Sequence, residues 1–183
     1  SVPGTTDQVD VNVSVAEKST GNIMLGAGFS SAEGVVLSGS VSQANVFGTG
    51  NRLSAQINSG SVNTVYALSF TNPYFTLDGV SLGYDLYRRD VDSSELDDVS
   101  EYKTSTLGAG MRFGLPINER DTISLGLVYE DTSIEVLNDN DPLNLSLQER
   151  FVQEFGEDND TVRVDAAWAR DTRDSFLFPT KGL

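Results

Sequence analysis

Residues 62–89, VNTVYALSFTNPYFTLDGVSLGYDLYRR, carry two runs of strict alternation on either side of a turn. In the first run Val62, Thr64, Tyr66, Leu68 and Phe70 share one face, and Asn63, Val65, Ala67, Ser69 and Thr71 share the other. In the second, Val80, Leu82, Tyr84 and Leu86 oppose Ser81, Gly83, Asp85, Tyr87 and Arg89. A side-chain period of two makes each run a strand with one apolar and one wet face, and TNPYFTLDG folds the pair into an antiparallel hairpin. Each arm runs for roughly ten residues, longer than the usual strand of about five or six and close to what a tilted strand needs to cross a bilayer.

The same alternation extends in both directions. Upstream, residues 7–17 (DQVDVNVSVAE) set Val9, Val11, Val13 and Val15 against Asp10, Asn12 and Ser14, and EKSTG at 17–21 breaks the phase. Gly21–Ser30 then places Ile23, Leu25, Ala27 and Phe29 opposite Asn22, Met24, Gly26, Gly28 and Ser30, with Gly21 at the start of the run. Further alternating runs cover residues 35–46, 52–58, 106–115, 122–130 and 162–171, giving about eight successive antiparallel strands from residue 21 onward. The connections at 45–50, 71–79, 115–121 and 178–182 are compact and carry Pro or Gly, whereas the acidic stretches 90–101 and 135–160 lie between them. Short turns at one end and longer loops at the other are the asymmetry of an outer-membrane barrel, which puts the short turns in the periplasm and the acidic loops outside. Aromatics near the short turns, Phe47, Tyr74, Phe75, Phe113, Phe176 and Phe178, sit where a headgroup-level girdle belongs. Within the longer loop, residues 142–155 read as one helix, with Asp141 as cap, Pro142 in the first turn and Gly156 as the left-handed stop. Its Leu147, Phe151 and Phe155 recur at helical spacing and point to a small cap over the barrel mouth or to a partner or lipid contact.

A mean hydropathy of -0.21 and the lack of any run of about 18 apolar residues rule out a helical membrane protein, but a barrel exposes only alternate residues to lipid. The rival architecture is a soluble β-sandwich, whose strands also alternate. Strand length, segregated loops and the make-up of the wet face favour the barrel: Gly26, Gly28, Gly83, Gly108, Gly110, Gly114 and Gly126 leave room on an inner wall, and Asp85, Arg112, Arg163 and Asp165 suit a watery lumen. The apolar faces accordingly assign Leu53, Ile57, Leu68, Phe70, Leu82, Tyr84, Leu107, Met111, Phe113, Leu125, Leu127 and Trp168 to lipid contact.

Chemistry is constrained by what is missing. With no cysteine and no histidine there is no disulfide framework, no Ser-His or Cys-His catalysis within these residues and no usual transition-metal ligand. No G-x-S-x-G elbow, phosphate loop or G-x-G-x-x-G occurs, so neither an enzyme nor a cofactor is expected. The formal charge of -15 argues against nucleic acid. NDND at 138–141 and EDND at 157–160 lack the spacing of a calcium loop and read as solvated acid, so no metal is expected either.

Five short motifs, in order and at consistent spacing, carry a resemblance: DQVDVNV with EKSTG at the entrance, QANVFGTGN at the first short turn, SFTNPYFTLDGVSLG at the second, GLPINE at the third and FLFPTKG at the end. Together they resemble the BamA family of outer-membrane protein assembly factors, of the POTRA plus β-barrel superfamily, along almost the whole sequence. The resemblance implies that residues 1–20 end a periplasmic POTRA domain, with 9–15 its closing strand, and that 21–183 form the N-terminal half of a transmembrane antiparallel β-barrel. It implies further that the loop with the family's Arg-Gly-Phe motif lies beyond residue 183, so the chain reads as a fragment. The work implied is mechanical: inserting and folding β-barrel clients in the outer membrane of a Gram-negative bacterium, alongside accessory lipoproteins. Gly21–Ser30, glycine-rich and with nothing before it placed to pair with it, is then the edge that templates client strands by β-augmentation. The alternatives are a complete small porin-like or adhesin-like barrel, a two-partner secretion transporter of the same superfamily, and an outer-membrane enzyme. The first should finish on a spanning strand where this sequence has the turn-like FPTKGL, and the last is disfavoured by the missing histidine.

Overall fold

The structure is a computed structural model and describes residues 11, 13–16, 18–95, 102–136, 147–173, 180 and 182. Eight strands follow one another as a meander: β1 Gly21–Ser30, β2 Gly34–Ala44, β3 Arg52–Ser59, β4 Asn63–Asn72, β5 Ser81–Asp92, β6 Tyr102–Pro116, β7 Asp121–Val136 and β8 Asp158–Arg170. Every strand pairs antiparallel with its neighbour in sequence, in the order β1 to β8. Among the described residues no ladder joins β1 to β8, so the sheet has two open edges. One helix, α1 at Leu147–Phe155, precedes β8.

The sheet has almost no interior. Among the described residues only Val62, Leu82 and Val128 are buried hydrophobic side chains. The accessible surface is 13906 Å², whereas a compact soluble monomer of 19.7 kDa is expected to expose about 8,600 Å². A single sheet of this size without a second layer cannot bury its apolar side in protein, so that side is built for an apolar surrounding.

Register assembles the alternating patterns of single strands into two continuous faces. Directly opposed residues share a face. On one face Leu53 meets Phe70, Phe70 meets Tyr84, Tyr84 meets Met111 and Met111 meets Leu127. On the other, Ser54 meets Ser69, Ser69 meets Asp85 and Asp85 meets Gly110. The apolar band runs from Leu107 to Leu115 on β6, about 27 Å along the strand.

Each of the three short turns opens on an asparagine whose side chain substitutes for a ladder acceptor. Asn45 Oδ1 accepts the Gly50 N–H at 2.7 Å, Asn72 Oδ1 the Tyr74 N–H at 3.0 Å, and Asn118 Oδ1 those of Arg120 and Asp121 at 2.8 and 2.9 Å. In the first, Asn45 and Phe47 adopt left-handed φ of 73° and 51° around Val46–Gly48, and Phe47 is left 98% exposed at the tip.

Several sequence expectations need adjustment. Strands β5 to β8 run further toward the loop end than the alternation suggested: β6 starts at Tyr102 and β7 extends to Val136, so Asp90, Asp92, Glu135, Asp158 and Asp160 are strand residues. The apolar face turns polar in these extensions, which removes the hydrophobic signal without ending the ladder. Val46 belongs to the first turn instead of β2. The loop asymmetry rests on the β5–β6 and β7–β8 connections alone, because β1–β2 and β3–β4 are joined by three residues each. Helix α1 starts at Leu147, and residues 142–146 with the expected cap lie outside the described residues. Gly156 ends it at φ 90°, donating to the Val152 carbonyl at 2.8 Å. Its Leu147, Phe151 and Phe155 are exposed, with the two phenyl rings 5.0 Å apart. Of the stretch 9–15, Val11 and residues 13–15 are described and have no regular structure; the rest lies outside, as do Phe176 and Phe178.

Candidate functional site

The two open edges are where the sheet can bind another chain, and hydrogen-bond parity fixes what each offers. Thr20 lies opposite Ala44 and accepts its N–H at 2.9 Å. In an antiparallel ladder, residues that exchange bonds with the partner alternate with residues whose N–H and C=O point away. Asn22, Met24, Gly26, Gly28 and Ser30 therefore bond to β2, and Gly21, Ile23, Leu25, Ala27 and Phe29 aim their backbone groups at the open side. Four of these five carry the apolar-face side chains of β1. The β8 edge shows the same parity: the Asp171 N–H donates to Arg120 at 2.8 Å, which turns the backbone groups of Val162, Val164, Ala166 and Trp168 outward. A strand added at either edge must put its own apolar residues opposite these, so the two faces continue unbroken.

The edges differ in how they are held. Strand β1 has ten residues, three of them glycine, and Gly21 through Phe29 are all exposed. Its one side-chain tie to β2 is Gln43 Nε2 to Thr20 Oγ1 at 2.7 Å, at the very start. Strand β8 has thirteen residues and is tied along its length. The Arg170 guanidinium grips Asp121 through Nε at 2.7 Å and Nη2 at 2.9 Å, Trp168 Nε1 donates to the same carboxylate at 3.2 Å, and Tyr129 donates to Asp160 at 2.6 Å. β1 is the weaker edge.

All twelve side chains assigned to lipid contact fall on one face of the register. Besides the row already traced, Ile57 opposes Tyr66, Leu82 opposes Phe113, Phe113 opposes Leu125, and Trp168 opposes Ile123. Leu68 and Leu107 join them opposite Ala55 and Arg88. At the turn end the band closes on Asp121, Trp168 and Arg170, with the guanidinium 5.5 Å from the indole centroid. At the loop end it gives way to Arg88 paired with Asp90 at 2.9 Å and Lys103 with Asp92 at 2.9 Å.

The opposite face carries the expected glycines and charges. Arg112 forks onto Asp85 with Nη2 at 3.0 Å, and Ser69 donates to the same carboxylate at 2.7 Å. Arg163 lies 3.7 Å from Glu130 and 3.2 Å from Asp165. Arg112 and Arg163 thus each have a carboxylate partner on this face. Among the described residues no group of three or more metal-ligating side chains converges. Sequence reasoning found the β1 edge and the faces but missed the parity, because which residues bond across a ladder is set by turn geometry and leaves no residue-type signature.

Comparison with known proteins agrees with this arrangement. Residues 45–183 match the Omp85 superfamily domain. The outer membrane protein assembly factor BamA of Neisseria meningitidis serogroup B is 38% identical over 98% of this chain, and that of Nitratidesulfovibrio vulgaris 32% identical over 96%. The crystal structure of BamA from Haemophilus ducreyi lacking POTRA domains 1–3 superposes with a TM-score of 0.66 at 29% identity, covering 98% of this chain. The chain spans 23% and 21% of the two sequence relatives and 35% of that structure. An open eight-stranded meander with one apolar face is thus a stretch of barrel wall, and the chain belongs to the Omp85 superfamily.

Proposed function

We propose that this chain is the N-terminal half of the barrel of an outer-membrane protein assembly factor, and that β1 templates the strands of unfolded barrel clients. The observation that carries the reading is the β1 edge: five consecutive outward-facing backbone sites, Gly21 to Phe29, on a strand held by little beyond its own ladder. A client strand gains main-chain hydrogen bonds there and is released by exchange with a competing strand, which needs no energy source. Residues 1–20 end the preceding periplasmic POTRA domain, the apolar face meets lipid, the short turns face the periplasm and the acidic loops face outward. Accessory lipoproteins of the assembly complex are the remaining partners. The work is mechanical rather than enzymatic, with no cofactor or metal.

The test uses the full-length protein in lipid vesicles. Leu25→Pro deletes an outward donor and should reduce client insertion at least roughly tenfold while the barrel itself still assembles, since the Leu25 N–H is not part of the β1–β2 ladder. Cysteine placed at Ala27 should form a disulfide with a cysteine in an arriving client strand. If both variants insert clients at the normal rate and no disulfide forms, β1 is only wall.

A further inference from the structure

Tyr87, Gly108 and Glu130 stand in one row across β5, β6 and β7 on the polar face: Tyr87 is directly opposite Gly108, and Gly108 directly opposite Glu130. The Tyr87 hydroxyl donates to Glu130, passing over the strand between them. Two strand spacings of about 4.8 Å separate β5 from β7, so the phenol reaches Glu130 only by lying flat on β6. Gly108 is what allows this. A Cβ added there would clash severely with three carbons of the Tyr87 ring. Gly108 has no left-handed φ, so its backbone needs no glycine, and the missing side chain is its contribution. Arg163 on β8, opposite Val128, reaches diagonally to within 3.7 Å of Glu130. Two rows along, Arg112 lies over Gly83, its Nη2 3.3 Å from an added Cβ, and reaches across β5 to Ser69 on β4 at 3.3 Å. By contrast, among the described residues no side-chain hydrogen bond or ion pair is formed between β2 and β3 or between β3 and β4.

We propose that Tyr87 bedded on Gly108 is a joint that locks the stagger of β5, β6 and β7 and, through Glu130 and Arg163, makes β5–β8 one rigid unit of the wall. A slip of either neighbour by one residue would turn the ring to the apolar face or put a side chain beneath it, so the joint also selects the register during assembly. This inference is independent of the client-templating reading, because it concerns residues on the far side of the sheet from β1.

The experiment is a double-mutant cycle in the full-length protein folded in lipid vesicles, read by amide exchange of β6 and by the rate of barrel assembly. Gly108→Ala should speed β6 exchange by roughly tenfold, because the added methyl lifts the ring off its bed. In a Tyr87→Ala background the same Gly108→Ala change should alter exchange less than about twofold, since no ring remains to displace. Tyr87→Phe keeps the bed and removes only the tie to Glu130, so Gly108→Ala should remain harmful there. Should Gly108→Ala block assembly outright, Tyr87→Ala must restore it. Equal effects of Gly108→Ala in the wild-type and Tyr87→Ala backgrounds, or failure of that rescue, would overturn the joint.

Discussion

Leu125 and Ser124 are adjacent in β7 and belong to opposite faces: Leu125 opposes Phe113 and Ala166, Ser124 opposes Gly114 and Ala167. On the face proposed to meet lipid, an arginine at Leu125, near the middle of the band, should cost about 2 to 4 kcal/mol. At Ser124 it finds small neighbours and water, and should cost little. Denaturant titration of the full-length protein in lipid vesicles compares the two; equal tolerance would remove the assignment of faces. This level of detail was legible because a period of two needs only residue types to be read. The roles of Asn45, Asn72 and Asn118 were less so. Each sits in a motif that the sequence marks as a turn, but the backbone N–H that its side chain holds depends on the fold of that turn. The partnership of Tyr87 with Gly108 was not legible at all: the two are joined only through the register of β5 on β6, across a connection that alternation does not measure.

At the scale of elements the sheet is graded. Strands β5–β8 are stitched by Arg112 to Asp85, by Tyr87 to Glu130, by Thr106 to Thr132 at 3.2 Å and by Arg170 to Asp121, whereas β1–β3 are held by the ladder and by Gln43 to Thr20. Backbone hydrogen bonds that share a sheet open together, and local opening is easiest where side chains add least. Amide exchange in the full-length protein should therefore show β2 and β3, which are interior strands, less protected than β6 and β7. Uniform protection across all four would show that side-chain ties do not grade the wall. The existence and order of these strands followed from the sequence, and their ends at the loop side did not. Along β7 the face pattern passes from Ile123, Leu125, Leu127 and Tyr129 to Asp131, Ser133 and Glu135, and a strand that leaves the apolar band loses the contrast by which it is recognised. The helix was placed by its spacing of Leu147, Phe151 and Phe155, and its left-handed stop at Gly156 stands where expected.

For the whole molecule, charge and shape set one direction. The chain carries a formal charge of -15, and the carboxylates of Asp90, Asp92, Asp131, Glu135, Asp158 and Asp160 gather at the loop end of the sheet, outnumbering Arg88 and Lys103 beside them. At the turn end, Phe47, Tyr74 and Phe75 are exposed, and the Asp121, Trp168 and Arg170 knot is close to neutral. Exposed aromatics belong at a lipid headgroup layer, and with the acidic rim at the opposite end they support the proposed placement of the loop end at the cell exterior. The absence of cysteine gives a direct check of that orientation. In full-length protein otherwise free of cysteine, Gln153→Cys on α1 and Phe47→Cys at the first turn create one exposed thiol at each end. A membrane-impermeant maleimide added to intact cells should label the thiol at position 153 and reach the one at 47 only after the outer membrane is permeabilised. Labelling at 47 with protection at 153 would invert the proposed topology.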